Sequence, residues 1–596
     1  MAVRAVRLHS LSSAAVCAAI AGVGWISPAP AAAEPVLAWT TVVNNSFVAP
    51  DPTKPDSTKV FNSYSPASVN DEGLVVFRGR TQGGTEGGTD GSTGSEGGGR
   101  ISGVFQRDMK TLGPVQAIAT QGSAVPQPNN LAATFNEFPS FARIDSGSNL
   151  IATRGQSGPV LEYQTGIDPV TGEPVTTRVG TSGIYATPGG TLTTGASLLG
   201  AVPGYSQFQI PPAAASGVEG LRFDQFPGAP AAFDGKYIAF KANYTDAATV
   251  GQTAVFYRDI TSAGGLEQAV AIAWRGMALP NDPSKFFGST SPPSAAKGKV
   301  VFTGLDNEDA PTAGGIYSAK VGQAGLTTLV SIGEAVPAGA TSGNGNTLTS
   351  LGEGLSFDGR YVSFWGAWGT ETRKITLTCP VDGNTAVKAA CMAQSDKDAN
   401  GSPTGQTTKE VPLHQGIFQK DTLTGKLQLV AQTGTAYEDF LFWNFSGNAG
   451  QGGPADTEEE EGPRWRSTAF IAADGTKVAF KATQPATLDI PSIFGIYLDM
   501  SDLLDPFALL TSAMSGGVLD SMAQDMKIVA LSIERDSFRN GWLAVSASMA
   551  NAEAGWAGVY LTQIPEPSSV ALVLLALGVL VVSKSRRTRL NGEFSL

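Results

Sequence analysis

The chain has 596 residues, of which 72 are glycine and only 15% are charged, and its formal net charge is −12. Glutamate, lysine and arginine populate helix surfaces, so their scarcity beside abundant glycine predicts strands and turns rather than helices. The acidic charge excludes nucleic acid and anionic membrane surfaces as partners, because both would repel the body.

The N-terminal segment has the pattern of a secretory signal. Arg4 and Arg7 precede a small-residue apolar run at 14–25, and Ala31-Ala32-Ala33 precede Glu34. A basic region, a short apolar core and an A-x-A site in this order predict a signal peptide at residues 1–33, cleaved after Ala33. The apolar run of about 12 residues is too short to span a bilayer, which needs about 20.

Two short β patterns then recur seven times through residues 36–563. The clearest copy of the first is Phe233–Phe240, in which an Asp-Gly turn opens a strand of alternating apolar residues. A second strand follows each copy and starts with a small residue and an aromatic two positions later. These second strands start at Gly103, Gly183, Ala254, Gly315, Gly416, Gly495 and Gly558.

Each uninterrupted unit holds about four strands in roughly 62 residues, and such a unit cannot bury both of its faces alone. Stacked units of this kind predict an all-β fold, a seven-bladed β-propeller of about four strands per blade. An array of small β-sandwiches or a β-solenoid is the alternative. The strand at 36–43 has no partner in the first unit, which leads to the hypothesis that it completes the last blade.

The repeat also resembles a described family, the exported choice-of-anchor tandem-repeat proteins that contain an N-x-x-G-x-x-A-F motif. Asn70, Gly73 and Phe77 fit this pattern, and Ala239-Phe240 supplies an A-F ending. Most copies depart from it, because Asp-Gly stands where the pattern has asparagine. The resemblance implies export and no known activity.

Three insertions interrupt the repeat, at residues 80–100, 156–182 and 367–415. All three fall in the connection between the two recurring strands. In a propeller this connection emerges on one face, so the insertions predict a binding face. Neutral growth of surface loops is the alternative.

The third insertion contains a pair of cysteines and a loop rich in aspartate and asparagine. Cys379 and Cys391 are predicted to form a disulfide in an oxidising exterior. Asp396, Asp398 and Asn400 place oxygen side chains at alternate positions before a glycine, an arrangement that suits calcium. An Asp/Asn-rich surface turn is the alternative, since an EF-type loop would have a glutamate where this chain has Thr407.

Other residues narrow the chemistry of the body. His414 is the only histidine that remains after removal of the predicted signal peptide. The sequence contains no G-x-S-x-G elbow, P-loop or H-E-x-x-H motif. Tryptophans either line a sugar-binding surface or pack between blades. They are Trp365, Trp368, Trp443 and Trp465.

The C-terminal segment, 564–596, has the pattern of a sorting tail. Pro565-Glu566-Pro567 precede thirteen apolar residues at 570–582, and a basic cluster that includes Arg586 and Arg587 follows. This order resembles the PEP-C-terminal signal, which exosortase recognises in Gram-negative bacteria that make extracellular polysaccharide. A helix of thirteen residues spans roughly 20 Å against a core of about 30 Å, which favours a transient stop, with a plain tail anchor as the alternative.

These patterns together predict an exported protein of the cell surface or the exopolysaccharide-rich matrix of a biofilm. The expected partners are an exosortase-type membrane transpeptidase and a polysaccharide or surface protein. Calcium is the one candidate cofactor. The C-terminal helix is expected to anchor the chain transiently or permanently. The body is expected to bind or to build structure without catalysis; the alternative is a carboxylate-dependent extracellular hydrolase or lyase on a propeller scaffold.

Overall fold

The computed structural model describes residues 37–82, 100–261, 267–341, 343–381, 384–447, 463–486, 492–500 and 505–565. Within these ranges the chain forms seven small antiparallel sheets arranged in a ring, a seven-bladed β-propeller. The prediction of an all-β propeller with seven blades is confirmed. No helix among the described residues is both long and apolar enough to cross a membrane.

The strands follow the chain around the ring. The first is β1 (Thr40–Asn44). Blade 1 contains β2 (Phe61–Tyr64), β3 (Ser68–Val69), β4 (Leu74–Thr81), β5 (Ser102–Asp108) and β6 (Gln116–Thr120). Blade 2 contains β7 (Phe135–Glu137), β8 (Arg143–Ile144), β9 (Ile151–Ser157), an inserted hairpin of β10 (Leu161–Ile167) and β11 (Pro174–Val179), then β12 (Ser182–Ala186) and β13 (Thr193–Ser197). Blade 3 contains β14 (Ala231–Phe233), β15 (Tyr237–Thr245), β16 (Gly251–Asp259) and β17 (Val270–Trp274).

A small hairpin of β18 (Ala278–Leu279) and β19 (Asp282–Phe286) leads into blade 4. Blade 4 contains β20 (Ser289–Thr290), β21 (Ser294–Ala296), β22 (Lys299–Leu305), β23 (Gly314–Lys320) and β24 (Thr327–Ser331). Blade 5 contains β25 (Leu348–Phe357), β26 (Tyr361–Thr378), the helix α1 (Thr385–Gln394), β27 (Gln406–Asp421) and β28 (Leu427–Gln432). The hairpin of β29 (Phe442–Ser446) and β30 (Arg464–Thr468) follows. Blade 6 contains β31 (Ile471–Asp474), β32 (Lys477–Gln484), β33 (Ile493–Asp499) and β34 (Phe507–Thr511), and blade 7 contains β35 (Lys527–Ser532), β36 (Phe538–Arg539), β37 (Trp542–Ala550) and β38 (Gly555–Gln563).

The N-terminal strand closes the ring. β1 pairs antiparallel with β38, with Thr40 opposite Leu561, so blade 7 has the order β35-β37-β38-β1. The hypothesis that the first strand completes the last blade is confirmed. The innermost strands also contact one another in cyclic order, from β3 through β8, β14, β21, β25, β31 and β36 back to β3.

The recurring glycine of the second pattern has a steric cause. In blade after blade the outer strand is bulged beside this glycine, and the bulge brings a backbone carbonyl close to it. A Cβ on Gly183 would lie 2.8 Å from the carbonyl oxygen of Ala196, and one on Gly495 would lie 2.7 Å from that of Leu510. A Cβ at Gly183 or Gly495 would therefore push the outer strand away, and blade 3 has the next smallest residue, Ala254, at this position.

The aromatic residues of the two patterns face each other across neighbouring strands. Phe240 pairs with Phe256 and Phe480 with Tyr497, with ring centroids 5.6 and 5.8 Å apart. Buried aromatic pairs contribute about 0.5–1.5 kcal/mol beyond the area that they bury. The pattern that identified the repeat is therefore the core of each blade.

The Asp-Gly turns join each blade to the next one. The Asp358 carboxylate accepts a hydrogen bond of 2.8 Å from the backbone N–H of Gly475, and Asp474 accepts one of 2.7 Å from Gly541. Asp145 binds Gly235 in the same way at 2.7 Å. The aspartate of the repeat therefore serves the neighbouring blade, which the local sequence does not reveal.

Two faces of the ring can be distinguished by their connections. Leu74 at the start of β4 lies opposite Asp108 at the end of β5, so the Asp-Gly turns and the turns before the outer strands share one face, the turn face. The connections between the second and third strands of each blade share the opposite face, the insertion face. The insertions at 156–182 and 367–415 lie on the insertion face, whereas most of the insertion at 80–100 is outside the described residues.

Candidate functional site

Charged residues from blades 2 and 7, which are far apart in sequence, meet at the centre of the ring. This axial cluster consists of Arg143 from blade 2 with Glu534, Arg535, Asp536 and Arg539 from blade 7. Four of the five side chains, all but that of Arg535, are at least nine-tenths buried. A convergence of carboxylates in the channel is what the alternative, enzymatic prediction requires.

Arg143 connects four blades. Its Nε lies 3.0 Å from Oε2 of Glu534 and 3.6 Å from Oδ2 of Asp536. Its Nη1 donates to the carbonyl oxygens of Ala229 in blade 3, at 3.4 Å, and Pro293 in blade 4, at 3.2 Å. A side chain that reaches this many blades must cross the axis.

Arg539 makes the corresponding contacts with blades 5 and 6. It forms an ion pair with Asp536 and donates to the carbonyl oxygens of Ala473 in blade 6, at 2.8 Å, and Phe357 in blade 5, at 3.1 Å. The two arginines thus bind backbone carbonyls of four blades, and the two carboxylates hold the arginines together.

Arg535 adds hydrogen bonds with blades 4 and 5. Its Nη1 donates to the carbonyl oxygen of Pro292 at 2.9 Å, and its own carbonyl accepts from the hydroxyl of Ser356 at 2.7 Å. Burial lowers the pKa of its guanidinium.

Burial and ion pairing determine the electrostatics of the axial cluster. Burial raises the pKa of Glu534 to about 6, although the Arg143 guanidinium opposes the rise. Both carboxylates are occupied by guanidinium groups, and the backbone N–H of Asp536 also donates to Glu534 at 2.8 Å.

Sequence reasoning missed the axial cluster, although a signal was present. Arg143 stands two residues before the turn residue Asp145, where other units have a small residue such as Ala232 or Ala472. A charge at a position that the repeat keeps small marks a residue with a buried partner elsewhere.

The third insertion builds a structured head on the insertion face. We use "head" for the outer parts of β26 and β27 together with α1. The sulfur atoms of Cys379 and Cys391 are bonded at 2.03 Å, which ties the end of β26 to α1. α1 starts after Asn384, whose side chain accepts from the backbone N–H groups of Ala386 and Val387 at 2.8 and 3.3 Å.

The head packs against the hairpin of β29 and β30. The disulfide, Phe445 and Trp465 form a small apolar core with the inner side of α1. Arg373 forms an ion pair with Asp439, and the side chain of Gln394 donates to the carbonyl of Pro463 at 2.9 Å. The head is therefore fixed on the ring by apolar, ionic and hydrogen-bonding contacts.

The predicted calcium loop lies between α1 and the start of β27, at the outer end of the long strands. Oδ2 of Asp396 accepts from the backbone N–H and the hydroxyl of Thr408, both at 2.8 Å. Oδ1 of Asp398 accepts from the backbone N–H groups of Asn400 and Ser402 at 2.8 and 2.9 Å. The two aspartates thus brace the turn itself, and among the described residues no group of three or more histidine, cysteine, aspartate or glutamate side chains is placed to hold a metal ion.

The four tryptophans divide into two pairs. Trp365 and Trp368 are buried, and their ring N–H groups donate to the side chain of Gln415 and to the carbonyl of Thr341, each at 3.1 Å. Trp443 and Trp465 lie half-buried on β29 and β30. The first pair packs between blades, Trp365 in the core shared with blade 6 and Trp368 in the core shared with blade 4, whereas the second pair stands on the insertion face.

The second insertion forms the hairpin of β10 and β11. Glu162 and Arg178 form an exposed ion pair across this hairpin, and Val170 at its tip is 90% exposed. The hairpin and the head are thus separate projections from the same face.

The predicted sorting residues lie at the edge of the described chain. Pro565 is its last residue, and Glu566, Pro567, Arg586 and Arg587 lie outside it, as does Ala33 at the predicted cleavage site.

Comparisons with solved structures find proteins of low similarity. An oligogalacturonate lyase in complex with manganese aligns over 89% of this chain and 97% of its own, with 8% identity and a TM-score of 0.36. Trypanosoma rangeli sialidase aligns over 91% of this chain and 62% of its own, with 9% identity and a TM-score of 0.33. The β-propeller domain of the Trilobed protease from Pyrococcus furiosus aligns over 57% of this chain and 81% of its own, with 9% identity and a TM-score of 0.22.

The sequence comparisons concern the C-terminus. None of the curated protein sequences matches the chain. The resemblance of the body to the N-x-x-G-x-x-A-F repeat proteins therefore stays a prediction. Residues 563–587 match the PEP-CTERM protein-sorting motif, so the chain carries the sorting tail of an exported protein that is anchored through its C-terminus and processed by exosortase, a membrane enzyme.

Proposed function

We propose that the mature protein is a non-catalytic binding protein of the cell surface, which holds extracellular polysaccharide or another surface protein on its insertion face. The head is the observation that carries this proposal. A loop that had merely grown would need no disulfide, capped helix or core of its own, whereas a recognition surface must keep its shape.

The axial cluster supports the same proposal. Its carboxylates form ion pairs with arginines that hold the blades together, so we assign to the charged residues of the channel the role of stabilising the ring. Binding is then left to the projections on the insertion face, the head and the β10–β11 hairpin.

An extracellular hydrolase or lyase is the second candidate function. It is favoured by the convergence of Glu534 and Asp536 at the centre of the ring. Glu534→Gln and Asp536→Asn would abolish depletion of a polysaccharide substrate if this candidate were right. Under the proposed function no turnover occurs in the unaltered protein.

A matched set of surface charges tests the proposed function. Val170→Asp and Val381→Asp place a charge on the hairpin tip and on the head, at side chains 90% and 82% exposed. Leu423→Asp places the same charge on the turn face, at a side chain 77% exposed. All three side chains are exposed to solvent, so the substitutions should leave folding unchanged.

The readout is binding to a glycan array and to extracellular polysaccharide from the producing cells. We expect at least a tenfold loss of affinity in one of the insertion-face variants and an unchanged affinity in Leu423→Asp. Equal affinity in all variants, or a loss only in Leu423→Asp, would contradict the proposal.

A further inference from the structure

The described chain ends on the turn face. Gln563, the last residue of β38, lies opposite Trp542, which directly follows the turn at Asn540-Gly541. The backbone N–H of the next residue, Ile564, donates to the carbonyl of Gly541 at 2.7 Å. The fold therefore holds the chain in place up to the residue before Pro565.

The N-terminal end of the described body also lies on the turn face, beside the end of β38. Thr40 at the start of β1 lies opposite Leu561, and the hydroxyl of Thr562 donates to the carbonyl of Ala38 at 2.9 Å. Both ends of the described body thus lie side by side on the turn face, away from the head and the β10–β11 hairpin.

The tether between the body and the apolar run is short. Only residues 565–569 separate Ile564 from Val570, where the uncharged apolar sequence begins. Fully extended, the link from Ile564 to Val570 spans at most about 20 Å. The headgroup layer takes up about 6 Å of this reach, because a bilayer is about 42 Å thick around a core of about 30 Å.

We propose that the turn face lies against the membrane surface while the tail is in the membrane, and that the insertion face points away from it. The tether leaves at most about 14 Å between the turn face and the headgroups. The nine residues of β37 separate the two faces by about 30 Å, so the head is held well clear of the bilayer. This inference rests on the sorting tail and adds to the proposed binding function the orientation in which the binding face is presented.

The covalent tether, rather than attraction to lipid, sets this orientation. The turn face carries ion pairs between adjacent turns. Examples are Glu72 with Lys110 at 2.7 Å, and Arg360 with Asp421 at 2.7 Å. The chain as a whole carries a net charge of −12, which anionic lipid would repel.

Fluorescence quenching in vesicles tests the orientation with the tail-bearing protein. Single cysteines for a fluorescent label are placed on the turn face at Leu112 and Leu423, and on the insertion face at Val170 and Val250, all of which are exposed. The vesicles contain phosphatidylcholine and a lipid with a spin-labelled headgroup. We expect quenching of the turn-face labels to exceed that of the insertion-face labels several-fold. Equal quenching, or stronger quenching on the insertion face, would overturn the proposal.

A spacer variant tests the role of the tether. Twenty Gly-Ser residues inserted between Ile564 and Pro565 add a mean reach of about 25 Å. The turn-face labels should then lose most of their quenching, and undiminished quenching would show that the tether does not hold this face. Neither measurement involves a ligand of the insertion face, so its outcome is independent of the binding test.

Discussion

Arg143 shows how one side chain can stabilise a whole ring. It pairs with Glu534, which is 391 positions away in sequence, and also binds the backbone of blades 3 and 4. Removing one member of a buried ion pair costs about 3–5 kcal/mol, because the remaining charge is left buried without a partner. The long separation also explains why sequence reasoning missed it, since no local pattern joins the two residues.

Arg143→Met should therefore lower the free energy of unfolding by about 3–5 kcal/mol, measured by urea titration. The control is Arg178→Met, which breaks an exposed pair with Glu162 and should cost about 0–1 kcal/mol. A loss below about 1 kcal/mol in Arg143→Met would show that the axial cluster does not hold the blades together.

Lys481 is a second residue whose surroundings the sequence does not reveal. Its ammonium lies 3.9 Å from the ring centroid of Phe442, 5.0 Å from that of Phe470 and 5.3 Å from that of Phe494. Burial lowers its pKa from 10.5 to about 8. Lys241 stands at the same position of the repeat in blade 3, within the same Ala-Phe-Lys-Ala sequence.

The lowered pKa fixes the sign of a pH effect. Between pH 8 and 10.5 the unfolded chain holds a proton on this amine that the folded chain has released, so stability rises with pH across this window. Lys481→Met should reduce the rise, measured as urea-unfolding free energies from pH 7.5 to 10.5, and Lys241→Met should leave it unchanged. An identical pH slope in the unaltered protein and in Lys481→Met would refute the assignment.

At the scale of elements, the strands were predictable and the head was not. Alternating apolar residues and Asp-Gly turns predicted the second strand of each blade, and the glycine-aromatic pattern predicted the third. The outer parts of the long strands β26 and β27 contain few apolar residues, and α1 has ten residues, too few for a sustained helical period. Cysteine counting found the bonded pair in the head, because only two cysteines follow the signal segment.

The disulfide should stabilise the head and not the ring. In the entropic account a loop of this size contributes about 3 kcal/mol. Replacing both Cys379 and Cys391 by serine should expose residues 380–405 to limited proteolysis, mapped by mass spectrometry, while the urea midpoint of the ring stays unchanged. The control is the unaltered protein treated with a reducing agent, which should give the same cleavages. A large drop in the midpoint, or full resistance of the segment, would contradict this local role.

At the scale of the whole molecule, the number of blades followed from seven pairs of recurring strands, and closure followed from the unpartnered first strand. The calcium site stays a prediction, because only chain folding determines whether oxygen atoms turn toward an ion or toward the backbone of their own loop. Ring closure also explains the position of the sorting motif. The strand that precedes it, β38, lies between β37 and β1, so the last blade is complete only when both ends of the body have come together.

Hydrogen exchange of the backbone amides in β38 tests this closed ring most directly. In the full-length chain the amides of Gly555–Gln563 should exchange as slowly as those of β32 and β33, because strands flank β38 on both sides. The exposed hairpin of β10 and β11 provides the fast reference. Exchange in β38 at the rate of that hairpin would contradict closure by β1 and, with it, the placement of both chain ends on the turn face.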